Sequence, residues 1–278
     1  MSIMLHLLAR NTQPIEKALA DIRARGLQVE REGWDAHGTA YHLLLAECAL
    51  KPGPWDGVDI LVDPYPEAKK RLLISDMDST MIQQECIDEL ADFVGKKAHV
   101  AAITERAMNG ELVFEDALRE RVSLLKGLSV DVLQECFDKK ITAMPGAKEL
   151  VRAFKKQGGK CVLVSGGFTF FTERVAAMLG FDEHYSNILE IENGKLTGTV
   201  REPILGKEAK LAELERQCTM LGIGPENVIA IGDGANDLPM LKAAGLGIAY
   251  HAKPTVQAQL QSCINHGDLS GIIRVISA

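Results

Sequence analysis

Four short apolar runs constrain this chain more than any other feature. Residues 72–75, 160–164, 228–231 and 246–249 are apolar runs, broken only by Ser75 and Lys160 at their ends, and do not alternate, as expected of a strand covered on both faces. Between them lie segments with helical periodicity, at 147–157, 169–179, 207–221 and 238–244. Such alternation predicts an α/β fold around a parallel sheet, because parallel neighbours need a crossover and a helix is the usual one. Polar, acidic and glycine residues follow three of the runs: Asp76-Met77-Asp78-Ser79-Thr80, Ser165-Gly166-Gly167 and Gly232-Asp233-Gly234-Ala235-Asn236-Asp237. Ligands of open parallel sheets bind outside the carboxyl ends of the strands. The three clusters are therefore expected to converge on one crevice.

Two stretches interrupt the alternation. Residues 83–142 read as entirely helical, with Ile87, Leu90, Ala91 and Val94 at helical spacing and Asn109-Gly110 as a break. Residues 188–191 and 196–200 read as a hairpin around Asn193-Gly194, a sequence that tolerates the positive φ of a tight turn. Ahead of the first run, residues 1–50 read strand, helix, strand, strand. Thr12 is the expected helix cap, Pro14 sits in the first turn and Gly26 ends the helix. Ile15, Ala18, Leu19 and Ile22 make its apolar face, and 28–32 and 39–50 follow as strands. Lys51-Pro52-Gly53-Pro54, Pro64 and Pro66 then predict a stiff linker reaching to about Lys70. The expected division is a small α+β domain with its linker, residues 1–66, and an α/β domain, residues 67–278, into which the helical stretch 83–142 is inserted.

A length of 278 residues accommodates that division. The net charge of −7 argues against a nucleic-acid binder, whose footprint is basic. No run of about 18 apolar residues exists, so no membrane span is expected. Residues 1–10 have no basic leader and no small-residue cleavage site, and read as a strand. The six cysteines, Cys48, Cys86, Cys136, Cys161, Cys218 and Cys263, form no CxxC and no cluster at zinc spacing. They read as free thiols in a reducing cytoplasm.

The chemistry sits in the acidic clusters. Along extended backbone, residues i and i+2 share a side, so Asp76 and Asp78 are neighbours. Adjacent carboxylates repel unless a cation intervenes, and Asp233 and Asp237 add to the charge. A hard divalent cation such as Mg²⁺ suits a few carboxylate oxygens plus a phosphate. A carboxylate is also a competent nucleophile toward phosphorus. Ser165-Gly166-Gly167 lets backbone N–H groups approach a phosphate. Lys207 and Lys210, on the helix before Asp233, are both candidates for the lysine that such a site wants.

These residues, taken in order, resemble the four motifs of the haloacid dehalogenase superfamily: Asp76-x-Asp78-Ser79-Thr80, Ser165-Gly166-Gly167, a helix lysine, and Gly232-Asp233-Gly234-x-Asn236-Asp237. Within it the chain is similar to the phosphatases that act on phosphoserine, with agreement also at Glu85, Phe114, Arg119-Glu120-Arg121-Val122-Ser123-Leu124-Leu125 and Leu196-Thr197-Gly198. The resemblance runs from about Arg71 onward. It implies a Rossmann-like core with a helical cap, and Mg²⁺-dependent hydrolysis of phosphoserine in serine biosynthesis. It implies Asp76 as nucleophile and Asp78 as acid and base. The metal ligands would be Asp76, the backbone carbonyl of Asp78, and Asp233, supported by Asp237. Ser165, Gly166 and Lys210 would hold the phosphoryl group, Lys210 being preferred to Lys207 by its spacing to Asp233. Asn236 would contact the phosphate or the water. Glu85 would bind the substrate ammonium and Arg121 its carboxylate, with Met108 and Phe114 lining the closed pocket. The N-terminal order resembles a shortened ACT-type module, for which ligand binding, homodimer formation and plain scaffolding all stay open. A signalling receiver, which holds a phosphoryl group on an aspartate, is the rival reading. Asp78 and the helical insertion argue against it.

Overall fold

The computed structural model describes residues 2–46 and 55–276. In chain order, β1 (Ile3–Leu8), α1 (Thr12–Ala24), β2 (Val29–Trp34), β3 (Ala40–Leu45) and β4 (Asp59–Asp63) come first. The core begins with β5 (Leu72–Ser75), and four helices follow at once: α2 (Cys86–Asp92), α3 (Lys97–Met108), α4 (Phe114–Ser123) and α5 (Asp131–Lys140). The alternation then resumes through α6 (Ala147–Lys156), β6 (Lys160–Phe168), α7 (Thr169–Leu179) and β7 (Glu183–Asn187). After the hairpin β8 (Leu189–Glu192) and β9 (Lys195–Val200) come α8 (Lys207–Leu221), β10 (Val228–Gly232), α9 (Leu238–Ala243), β11 (Leu246–Tyr250), α10 (Pro254–Gln257), β12 (Ser262–Ile264) and α11 (Ser270–Ile276).

All four apolar runs are strands, and β5 pairs in parallel with β6 on one side and β10 on the other. Successive side chains of these strands face opposite layers. Leu73, Cys161, Leu163, Ile229 and Ile231 join the core that contains Leu150, Phe154, Phe171 and Ile272. Leu72, Ile74, Val162, Val164, Val228 and Ala230 join the core that contains Leu214, Met240 and Leu241. Both faces are thus covered by helices, which is why the runs do not alternate in polarity. The strand order is β2-β3-β1-β4-β12-β11-β10-β5-β6-β7. The chain leaves β5 toward β6 and returns later to β10 on its other side. The order therefore reverses between β5 and β10, which opens a crevice at their carboxyl ends.

The N-terminal element order is the expected one, with two differences. Asn11, in extended conformation, precedes the first helical residue, so Thr12 opens α1 instead of capping it. Residues 59–63, read as part of a linker, form β4, which pairs antiparallel with β1 and touches β12. That strand makes one continuous ten-stranded sheet. The Asp59 carboxylate fastens the junction by accepting the backbone N–H groups of Asn265, His266 and Gly267 at 2.6, 2.9 and 2.7 Å. The expected breaker Lys51-Pro52-Gly53-Pro54, residues 47–50 of the expected third strand, and Cys48 lie outside the described residues. Cys86, Cys136, Cys161, Cys218 and Cys263 are free thiols. The β8–β9 turn places Asn193 and Gly194 at φ 50° and 73°, the pair of positive values a two-residue hairpin requires. Among the described residues, no helix is long and apolar enough to cross a membrane.

Candidate active site

Asp76 is the first residue past β5, and its N–H still donates to Ile231 of β10 at 3.0 Å. The side chain therefore emerges at the strand-order reversal. Its Oδ1 accepts the N–H of Met77 at 2.7 Å and meets the Lys210 ammonium at 2.8 Å. Lys210 comes from the first turns of α8 and is fully buried. It also reaches Asp237 at 2.6 Å, and burial of that ammonium is opposed by the two carboxylates, which raise its pKa. Lys207, the other candidate, is exposed beside Glu208.

Asp233 follows β10 and accepts the Thr80 hydroxyl at 2.9 Å. Asp237 turns back toward it and accepts the N–H groups of Asp233 and Gly234 at 3.2 and 3.0 Å. Carboxylate oxygens of Asp76, Asp233 and Asp237 all lie within 4.8 Å of one another, and all three residues are buried. One lysine cannot balance three buried carboxylates. Burial first, then the charge of Asp237, pushes Asp76 well above the usual carboxylate range and Asp233 up to about 7. A compact group of hard oxygen donors with excess negative charge is the donor set that a divalent cation satisfies.

The Asp78 carboxylate stands apart from that group. It accepts the Cys86 N–H at 2.8 Å and the Ser165 hydroxyl at 3.3 Å, and burial raises its pKa. Between the two aspartates and the first helix of the insertion, Ser79 adopts φ 53°. This left-handed conformation, costly outside glycine, is supported by its hydroxyl donating to Glu85 at 2.6 Å. Burial, followed by the charges of Asp78 and Asp233, pushes Glu85 well above its usual range.

Opposite this floor stands the helical insertion. Asp76, Asp78, Glu85, Met108, Phe114, Arg121, Ser165, Gly166 and Asn236 line one cavity. About 20 Å³ in it is open to the centre of a water molecule, room for a single water. The cap is thus closed. Phe114 presses on the carboxyl end of β6 so tightly that a methyl on Gly166 would lie 2.5 Å from its Cζ. A methyl on Gly167 would lie 2.8 Å from Asp78 Oδ2. Both glycines are needed for these approaches. The side-chain oxygen of Asn236 is buried without a hydrogen-bond partner among the described residues, a cost that a ligand donor would relieve. Arg121 is 2% exposed. Among the described residues it makes no ion pair, only hydrogen bonds to the Ala117 carbonyl and the Thr104 hydroxyl at 3.0 and 2.9 Å.

The fold thus brings nine of the candidate residues to one place, Asp76, Asp78, Glu85, Arg121, Ser165, Gly166 and Asn236 to the cavity wall and Lys210 and Asp233 to the carboxylate group behind it, while Lys207 stays outside. Sequence reasoning placed Thr80 in the first motif without a role of its own, and gave no part to Cys86 or Thr104. Of the last two, Thr104 alone carried a signal, as the one polar residue on the buried face of α3 among Val100, Ile103 and Ala107.

The sequence profile of haloacid dehalogenase-like hydrolases matches residues 73–242. A phosphoserine phosphatase of Archaeoglobus fulgidus is 46% identical over 222 residues, which is 79% of this chain and 64% of that protein. The chain therefore spans just under two thirds of that relative's length. A phosphoserine phosphatase of Polaromonas sp. is 50% identical over 211 residues, 74% of this chain and 89% of that one. The crystal structure of a haloacid dehalogenase family hydrolase from Salmonella enterica serovar Typhi superposes with a TM-score of 0.85 at 32% identity, covering 99% of this chain and 98% of that chain.

Proposed function

The chain belongs to the haloacid dehalogenase-like hydrolase family, and on that premise we propose that it hydrolyses O-phosphoserine to serine and inorganic phosphate through an aspartyl-phosphate at Asp76. One observation carries the substrate assignment. The closed cavity has an acidic, glycine-rich floor suited to a phosphoryl group and its metal, and a roof that presents Glu85 and Arg121 together. That pair matches the ammonium and carboxylate of a free amino acid, and a planar guanidinium suits a carboxylate bidentately. The identity to relatives named phosphoserine phosphatases points the same way.

In the proposed reaction, an Asp76 carboxylate oxygen attacks phosphorus in line and the bond to the serine oxygen breaks. Asp78, protonated at that moment, gives its proton to the departing oxygen. Its raised pKa favours the acid form. Asp78 then takes a proton from water, whose oxygen attacks phosphorus. The bond to Asp76 breaks and phosphate is released. Ser165, the Gly166 backbone, Lys210 and Asn236 hold the transferring oxygens, with positioning supplying much of the rate. Asp76, Asp233 and the Asp78 carbonyl would hold Mg²⁺, with Asp237 supporting. When bound, that ion would offset the negative charge that phosphate adds to a carboxylate-rich site.

The test is phosphate release from L-phosphoserine, phosphothreonine and an aryl phosphate, each with and without Mg²⁺. Fast release from phosphoserine that stops on chelation is expected. Mg²⁺-dependent release from the aryl phosphate alone would keep the chemistry and discard the amino-acid assignment.

A further inference from the structure

Arg121 is in an unusual position for a buried cation. Its guanidinium lies inside the cap with no carboxylate at ion-pair distance among the described residues, and burial lowers its pKa. Two of its N–H donors are fixed. Nε donates to Ala117 one turn back on α4, and Nη1 donates to Thr104 on α3. Nη2 has no protein partner among the described residues, and the side chain lines the cavity. Two anchors on different helices fix the plane of the group and leave its fork open.

The Thr104 hydroxyl has one proton to give. Asp88 Oδ1, on α2, is 2.7 Å away and the Val100 carbonyl is 3.1 Å away. The shorter contact to the charged acceptor is the stronger. Arg121, Thr104 and Asp88 therefore form a chain across α4, α3 and α2 in which donation runs in one direction. Asp88 brings a negative charge toward the guanidinium without touching it. Had that carboxylate paired directly with Arg121, it would have filled the fork. With a hydroxyl between them, the cation keeps electrostatic support and stays free for a ligand.

We propose that Thr104 and Asp88 are positioning residues that set substrate specificity, by holding Arg121 with its fork directed at the carboxylate of the substrate. The inference rests on Arg121 as the carboxylate-binding group. Thr104→Val removes the hydroxyl at nearly constant volume, Thr104→Ser keeps it, and Asp88→Asn removes the charge. The readout is the ratio of kcat/KM for phosphoserine to kcat/KM for phosphoethanolamine, which keeps the phosphate and ammonium but lacks the carboxylate. A hydrogen bond to a charged group should move that ratio about 10- to 100-fold.

The expected result is a fall of that size in Thr104→Val, seen in KM for phosphoserine more than in kcat. A smaller fall is expected in Asp88→Asn, and recovery in Thr104→Ser. Asp88→Asn and Thr104→Ser keep the test open should the valine variant fold poorly. Arg121→Ala is measured beside them. If it collapses the ratio while Thr104→Val and Asp88→Asn leave it unchanged, or lower both substrates in parallel, the positioning role is overturned and the role of Arg121 stands. If Arg121→Ala also leaves the ratio unchanged, the underlying assignment falls and takes this inference with it.

Discussion

Burying a carboxylate is expensive unless its charge is answered, and Asp76, Asp78, Asp233 and Asp237 are all buried. They are answered in three different ways. Asp76 and Asp237 share Lys210, Asp233 takes the Thr80 hydroxyl, and Asp78 takes a backbone N–H and a serine hydroxyl. The different answers separate the chemical characters of residues that the sequence shows only as aspartates. A second ionisable pair, with His6 buried and His42 half-buried, lies on the N-terminal strands. His6 on β1 and His42 on β3 share one hydrogen bond, Nδ1 to Nδ1, at 2.7 Å. Burial, then the His42 and Lys70 charges, lowers His6 from 6.5 to about 3. A histidine held neutral binds its proton more weakly folded than unfolded. The unfolded chain therefore gains more protons as pH falls from about 6.5 toward 3, and stability falls with it; above 6.5 this contribution is flat. Thermal unfolding between pH 7 and 4 should show a steeper loss for the native protein than for His6→Leu. Equal slopes would contradict a buried, neutral His6.

At the scale of elements, the cap decides access. The loop after α3 touches the residues after β10: a Cβ on Gly110 would lie 3.3 Å from that of Ala235, close to the spacing of a disulfide. The closed cavity has no room for substrate beyond a water, so turnover requires the cap to open. A Gly110→Cys/Ala235→Cys double variant should lose most of its turnover when oxidised and regain it on reduction. Full activity of the oxidised form would show that opening is not required. The helices up to α9 and the doubly covered strands were legible because burial on two faces or on one stripe leaves a clear pattern, whereas the short α10 and α11 were not read. The strands that escaped reading had none. β7 is Glu-His-Tyr-Ser-Asn on an edge, β12 has three residues, and β4 has apolar residues but sits between prolines that suggested a linker.

Across the whole molecule, one sheet runs from the N-terminal elements through the core to β7, with Asp59 binding the two parts at β4. The site was legible where chemistry is written in consecutive residues after a strand, as in Asp76-x-Asp78 and Asp233 to Asp237. It was illegible where it depends on how helices pack. Nothing in the spacing of Asp88, Thr104 and Arg121 announces that three helices bring them into one hydrogen-bonded chain. Nor does sequence say that Lys210 is buried between two carboxylates while Lys207, one turn away, is solvated. The central claim is that Asp76 becomes covalently phosphorylated. The direct measurement is rapid acid quench of the Mg²⁺-loaded protein during phosphoserine turnover, followed by mass spectrometry of the peptide containing Asp76. The account predicts a transient phosphate on Asp76 that is absent from Asp76→Asn. Sustained turnover with no phosphorylated intermediate, or a phosphate carried on another residue, would contradict it.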